Sequence, residues 1–156
     1  MTSQHKGKNK TVHKKRVSKD EQHKKQDKVI VVGDSHARKC ATEVSQLLNN
    51  DFEMLGFVNP GSGMKYIKDT SGVKLQQLSK KDVLVLWGGS NDIVRNNSVV
   101  GRRHLLELAI NVNHTNVIVM SAPHRHDLMS NSCVNEEIEK FNRKLHLRLE
   151  RLGVWR

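Results

Sequence analysis

Three short polar segments each follow an apolar run and hold the residue types that acyl transfer requires: Gly33-Asp34-Ser35, Pro60-Gly61-Ser62-Gly63 and Gly88-Gly89-Ser90-Asn91-Asp92. A serine hydroxyl can attack an acyl carbonyl, and donors already in position stabilise the negative charge that builds on the carbonyl oxygen. In this pattern Ser35 offers the hydroxyl. Gly63 lets a backbone N–H come close, and Asn91 carries a neutral side-chain donor. Each piece also has a plain local reading. Asp34-Ser35 suits an ordinary N-cap between a strand and a helix. Gly63 suits a turn, with Gly61 a competing choice for the donor glycine, and Asn91-Asp92 suits a turn as well. Neither G-x-G-x-x-G nor G-K-[ST] follows the first apolar run, which excludes a dinucleotide fingerprint and a P-loop.

The elements that must position these residues alternate. Apolar runs at 29–32, 52–58, 83–87 and 117–120, rich in Val and Ile and bounded by Gly, Asn or Pro, predict short buried strands. Helical spacing is found at 36–48 (Ala37, Cys40, Ala41, Val44, Leu47 and Leu48), at 73–78, at 99–112, and in a long segment after Asn135. In that last segment Asn135 offers a cap. Ile138, Phe141, Leu145, Leu149 and Leu152 repeat on one face, and Gly153 ends it. Such alternation predicts an α/β fold, a three-layer αβα sandwich around a parallel sheet, whose ligand sites lie beyond the carboxyl ends of the strands. Ser35, Gly63, Asn91 and His124 all fall at such ends. A helix opening at His36 is expected to turn its N-terminus toward an oxyanion at Ser35.

Gly33-Asp34-Ser35, Gly63 and Gly89-Ser90-Asn91-Asp92 resemble the first three sequence blocks of the SGNH (GDSL-type) hydrolase family, over roughly residues 28–150. The resemblance implies a serine esterase acting on an acyl ester, either a small molecule or an acylated polymer. Ser35 is then the nucleophile, and its own N–H, the Gly63 N–H and the Asn91 amide form the oxyanion hole. It implies no cofactor and a flavodoxin-like strand order of 2-1-3-4-5. It also implies an Asp-x-x-His block after a fifth strand, and no Asp-x-x-His follows Asn91 in this sequence. The chain therefore reads as four of five expected strands, C-terminally incomplete, with strand four uncovered on one side and hydrolysis weak.

His124 and His126 are the substitute bases to weigh. The end of strand four lies two strand spacings from strand one, roughly 10 Å, whereas a base works within about 3 Å. His124-Arg125-His126-Asp127 also has the form of a zinc half-site, but no second Cys or His cluster accompanies it, and no metal is expected. His36, next to the serine, is expected to point away from it as a solvated or substrate-rim histidine.

Composition divides the chain. Residues 1–28 hold ten Lys or Arg against three Asp or Glu, a net +7 of the chain's +11, with no aromatic residue. Such a stretch cannot bury enough apolar surface to order itself. It reads as a disordered basic arm over 1–27, followed by an SGNH hydrolase-like domain over 28–156. The arm fits RNA or DNA phosphates, through Lys14, Lys15, Arg16, Lys24 and Lys25, more than any base sequence. A solvated tail with no partner and a nuclear-import signal are the other readings. An esterase-like domain joined to a basic segment is similar to the architecture of retroelement-encoded proteins, which implies a noncatalytic nucleic-acid-binding role as the alternative function. No N-terminal apolar segment reads as a secretory signal. Cys40, expected in the core, and Cys133, expected in a polar loop, form no disulfide framework and suit a reducing compartment, cytoplasmic or nuclear. The oligomeric state has no signature here.

Overall fold

The computed structural model describes residues 26–48 and 51–154. Residues 1–25 of the arm, with Lys14, Lys15, Arg16, Lys24 and Lys25, lie outside the described residues, and Asp27 at its end already belongs to a strand. Four strands, β1 (Asp27–Gly33), β2 (Phe52–Val58), β3 (Val83–Trp87) and β4 (Asn116–Val119), form one sheet in the order β2-β1-β3-β4, every pair parallel. All four coincide with the predicted apolar runs to within two residues. β1 is central because Val29, Ile30, Val31 and Val32 are apolar on both sides of the pleat and bury on both.

One face of the sheet carries the core. Ile30, Val32, Leu84 and Leu86 pack against α2 (Met64–Leu75), α4 (Ser98–Asn111) and α5 (Cys133–Arg151). Ile67, Leu105, Leu108 and Phe141 fill this layer with almost no exposure. Burying each such side chain is worth about 1.5–3 kcal/mol. The short α3 (Ser90–Val94) precedes α4. Among the described residues the opposite face carries α1 (Cys40–Leu47), which lies over β1 and β2 with Ala41 against Gly56. No described element covers that face over β4, where Ile118 is 49% exposed. Among the described strands β4 is also an edge, bonded to β3.

The helices depart from the sequence reading in four places. The expected helix over 36–48 is broken into a 3-10 turn at Ser35–Ala37 and α1, which begins only at Cys40. No residue of α1 is buried, Cys40 is half-buried, and Leu47 is 83% exposed, because the apolar stripe overhangs the sheet instead of facing a second helix layer. α2 replaces the short helix expected at 73–78 and starts nine residues earlier, where Met64, Ile67, Ser71 and Leu75 bury along one side. α5 is capped by Ser132, whose hydroxyl oxygen accepts the Asn135 N–H at 3.2 Å. Asn135 is spent elsewhere: its side chain accepts the Arg125 N–H at 2.8 Å and donates to the Arg125 and Met129 carbonyls. Cys133 thus opens α5 and is not in a loop. Ile138, Phe141, Leu145 and Leu149 bury as the spacing predicts, while Leu152 stays outside.

Candidate active site

β1 ends at Gly33, in register with Val58 of β2 and Trp87 of β3, so the loops after these three strands emerge side by side. The first loop is bonded to both neighbours. The Asp34 N–H donates to the Trp87 carbonyl at 3.1 Å, and the Asn59 N–H donates to the Gly33 carbonyl at 2.9 Å. A Cβ at Gly33 would overlap the Trp87 carbonyl oxygen, which makes glycine the only residue that fits there.

Asp34 is fully buried and caps the 3-10 turn. Its Oδ1 accepts the His36 N–H at 3.0 Å and stands 3.0 Å from His36 Nδ1, while Oδ2 is buried without a partner among the described residues. His36 is exposed, and it is also tethered to the carboxylate across the serine. Its ring stands beside Trp87, centroids 6.4 Å apart, and Trp87 Nε1 donates to the Ser121 carbonyl at 3.2 Å. Ser35, half-buried, begins the turn. The three-residue turn takes the place of the α-helix N-terminus expected behind Ser35.

The second and third loops are sewn together by three polar contacts. Asn91 Nδ2 donates to the Ser62 carbonyl at 3.0 Å, and Arg95 Nη2 donates to the Gly61 carbonyl at 2.6 Å. The Met64 N–H, first of α2, donates to Asp92 Oδ2 at 2.9 Å. Gly63 caps α2 in an extended conformation, and a Cβ on it would stand 2.8 Å from Asp92 Oδ1. Asp92 thus determines why a glycine precedes α2. Burial, the strongest influence, raises the Asp92 carboxyl above its ordinary 3.8, against the pull of the Met64 N–H, its own N–H, Arg95 and His104. Gly89 has φ +106°, the left-handed region that glycine tolerates, and a Cβ there would stand 2.6 Å from Phe141 Cζ. Ser90 Oγ, beside Asn91, is buried with no partner among the described residues.

Ser35, Gly63 and Asn91 therefore lie on three adjoining strand-end loops, two of them joined directly through Asn91. His124 and His126 follow β4, two strand positions from β1. His124 Nε2 faces Glu139 of α5 at 3.6 Å on the surface, and His126 is exposed. Neither imidazole hydrogen-bonds Ser35. Among the described residues no three His, Cys, Asp or Glu side chains gather as a metal site, and no helix is long and apolar enough to cross a membrane. Sequence reasoning missed two parts: the Asp34–His36 tether, signalled only by an acid two residues before a histidine, and the role of Asp92 as a strut, which read as a turn residue.

No family model matches the chain, and neither does any curated protein. Solved structures do match. A lipolytic protein of the G-D-S-L family from Veillonella parvula superposes with a TM-score of 0.67 at 14% identity, covering 81% of this chain and 74% of that one. The lipase/acylhydrolase from Enterococcus faecalis gives 0.56 at 14% identity, over 79% of this chain and 72% of that one. Axe2, an acetylxylan esterase from Geobacillus stearothermophilus, gives 0.56 at 14% identity, over 81% and 73%. At such identities the likeness establishes architecture, and the architecture of this chain is that of the G-D-S-L, or SGNH, lipolytic proteins.

Proposed function

We propose that the chain is an SGNH-type serine ester hydrolase-like domain in which Ser35 is the nucleophile and the Gly63 N–H and the Asn91 amide are oxyanion donors. The observation that carries this reading is the bond from Asn91 Nδ2 to the Ser62 carbonyl, which fixes the third loop against the second beside the Gly33 strand end. An amide already held in place stabilises a developing oxyanion without reorganising. In the reaction the Ser35 oxygen bonds to the acyl carbon, its proton passes to a base, and the alcohol departs with a proton. Water then releases the acid from the acyl-serine.

Axe2 and its like act on acetylated xylan by name. For this chain the matching substrate class is a small acyl ester or an acylated polymer. No Asp-x-x-His follows Asn91 in the sequence. Where a serine lacks its partnered base, only the share of catalysis that comes from donors and binding remains, roughly 10³–10⁴-fold over water. The test is hydrolysis of p-nitrophenyl acetate together with fluorophosphonate labelling. Slow turnover and labelling that both vanish in Ser35→Ala support the reading; turnover that survives Ser35→Ala overturns it.

A second reading, noncatalytic binding of RNA or DNA through the basic arm, is favoured by the ten Lys or Arg among residues 1–28. It predicts affinity that falls steeply with salt and is lost when residues 1–28 are deleted. Salt-insensitive binding that survives the deletion would contradict it.

A further inference from the structure

Away from the strand-end loops, α4 and α5 leave an open groove between their outer faces. It is a run of two adjoining cavities of about 290 and 340 Å³ that share Arg102 and Arg148. Its floor is aliphatic. Val99 is 65% exposed and Leu152 51% exposed, and Ile110 and Leu147 also line it. Its rim is cationic. Arg102 comes from α4, and Lys144, Arg148 and Arg151 come from α5. None of these four side chains has an ion-pair partner among the described residues. The carboxylate at one end, Glu107, is already engaged, with Lys68 at 2.7 Å, His104 Nδ1 at 3.2 Å and Arg103 at 3.9 Å.

We propose that this groove docks an acidic amphipathic helix of a partner protein, its apolar stripe on the aliphatic floor and its carboxylates on the four unpaired cations. Two features select this occupant. Lys144, Arg148 and Arg151 fall at i, i+4 and i+7, so the rim presents one charge per turn, the same repeat at which a helix offers Glu on one side of its apolar stripe. The floor needs apolar cover. A nucleic acid gives little of it here, since the groove lining contains no aromatic ring on which a base could stack. The chain's own arm is no complement either: nine of its 27 residues are Lys or Arg. A second copy of a chain of net +11 is disfavoured for the same reason.

The test uses the full chain with two fluorescein-labelled probes. One is a short helical Leu/Glu peptide, with Leu at i, i+3, i+4 and i+7 and Glu on both flanks. The other is a single-stranded RNA oligonucleotide. Anisotropy is read for the wild type, for Arg102→Glu/Arg148→Glu and for the arm variant Lys14→Glu/Lys15→Glu/Arg16→Glu. The expected result is peptide binding that weakens at least tenfold in the groove variant and is unchanged in the arm variant. Amide hydrogen exchange on the wild type with peptide, independent of any misfolding of the variants, is expected to show added protection confined to α4 and α5. Peptide binding lost in the arm variant but kept in the groove variant overturns the proposal. So does RNA held at the groove in place of the peptide, and so does the absence of peptide binding or of protection at these helices.

Discussion

Asp92 holds the first N–H of α2 through its bond to Met64, 2.9 Å long, although 28 residues separate the two in sequence. One carboxylate, 7% exposed, thereby couples the third loop to the second. Replacing Asp92 by Ala leaves the buried Met64 N–H without an acceptor and is expected to cost about 1–3 kcal/mol in unfolding free energy by urea titration. Asp92→Asn keeps an oxygen for Met64 and removes the charge. Because burial raises the Asp92 carboxyl above 3.8, the folded state disfavours the ionised form. The wild type therefore loses stability as pH rises from below 3.8 through the raised value, and Asp92→Asn lacks that loss. Urea midpoints at about pH 3.5 and 7 should show the variant gaining on the wild type as pH rises. Parallel pH responses would rule this out.

Asn91 has one amide proton committed to the Ser62 carbonyl and one to spare. Asn91→Ala is expected to lower kcat for p-nitrophenyl acetate by about 10²–10³ with a smaller change in KM, the signature of a lost transition-state donor. An effect confined to KM would assign Asn91 to substrate binding alone.

Asp34 caps the turn that carries Ser35 and tethers His36 with the same oxygen. Asp34→Ala should cost about 0.5–2 kcal/mol from the cap alone. Asp34→Asn, which retains an accepting oxygen, should cost less. Thermal unfolding of the two variants side by side checks the order, and equal losses would show that the cap is not what Asp34 contributes.

Gly89 stands against the Phe141 ring with φ +106°. Gly89→Ala is expected to cost about 1–3 kcal/mol for the overlap, with about 1 kcal/mol more for the left-handed backbone. The overlap is specific to one ring, so in a Phe141→Leu background the same substitution should cost less. A double-mutant cycle by urea unfolding measures the difference, and strict additivity would refute the contact.

The sheet and the three site loops were legible because their signals are local. Val29–Val32 is apolar on consecutive residues, as a two-sided strand must be, and Gly, Ser and Asn mark where each strand stops. Helix limits were less legible, since tertiary packing decides among competing local signals. Ser132 and Asn135 are both good caps, and Ser132 wins because the Asn135 side chain bridges Arg125 and Met129. Met64, Ile67 and Leu75 carry a helical spacing, yet Ser71 and Gly72 between them dilute it. The stripe on α1 has the right period for burial, but no other described helix meets it on that face. Asp92 and Arg95 could not be read as struts, because their partners Met64 and Gly61 are distant in sequence and the pairing exists only once the loops are adjacent.

The missing Cβ at Gly33 has a mechanical consequence. With the Trp87 carbonyl filling the space a side chain would need, the backbone two residues before Ser35 is pressed flush against the neighbouring strand. The serine thus follows, by two residues, a backbone position held against the end of β3. Any side chain placed at position 33 would push the first strand-end loop off its neighbour.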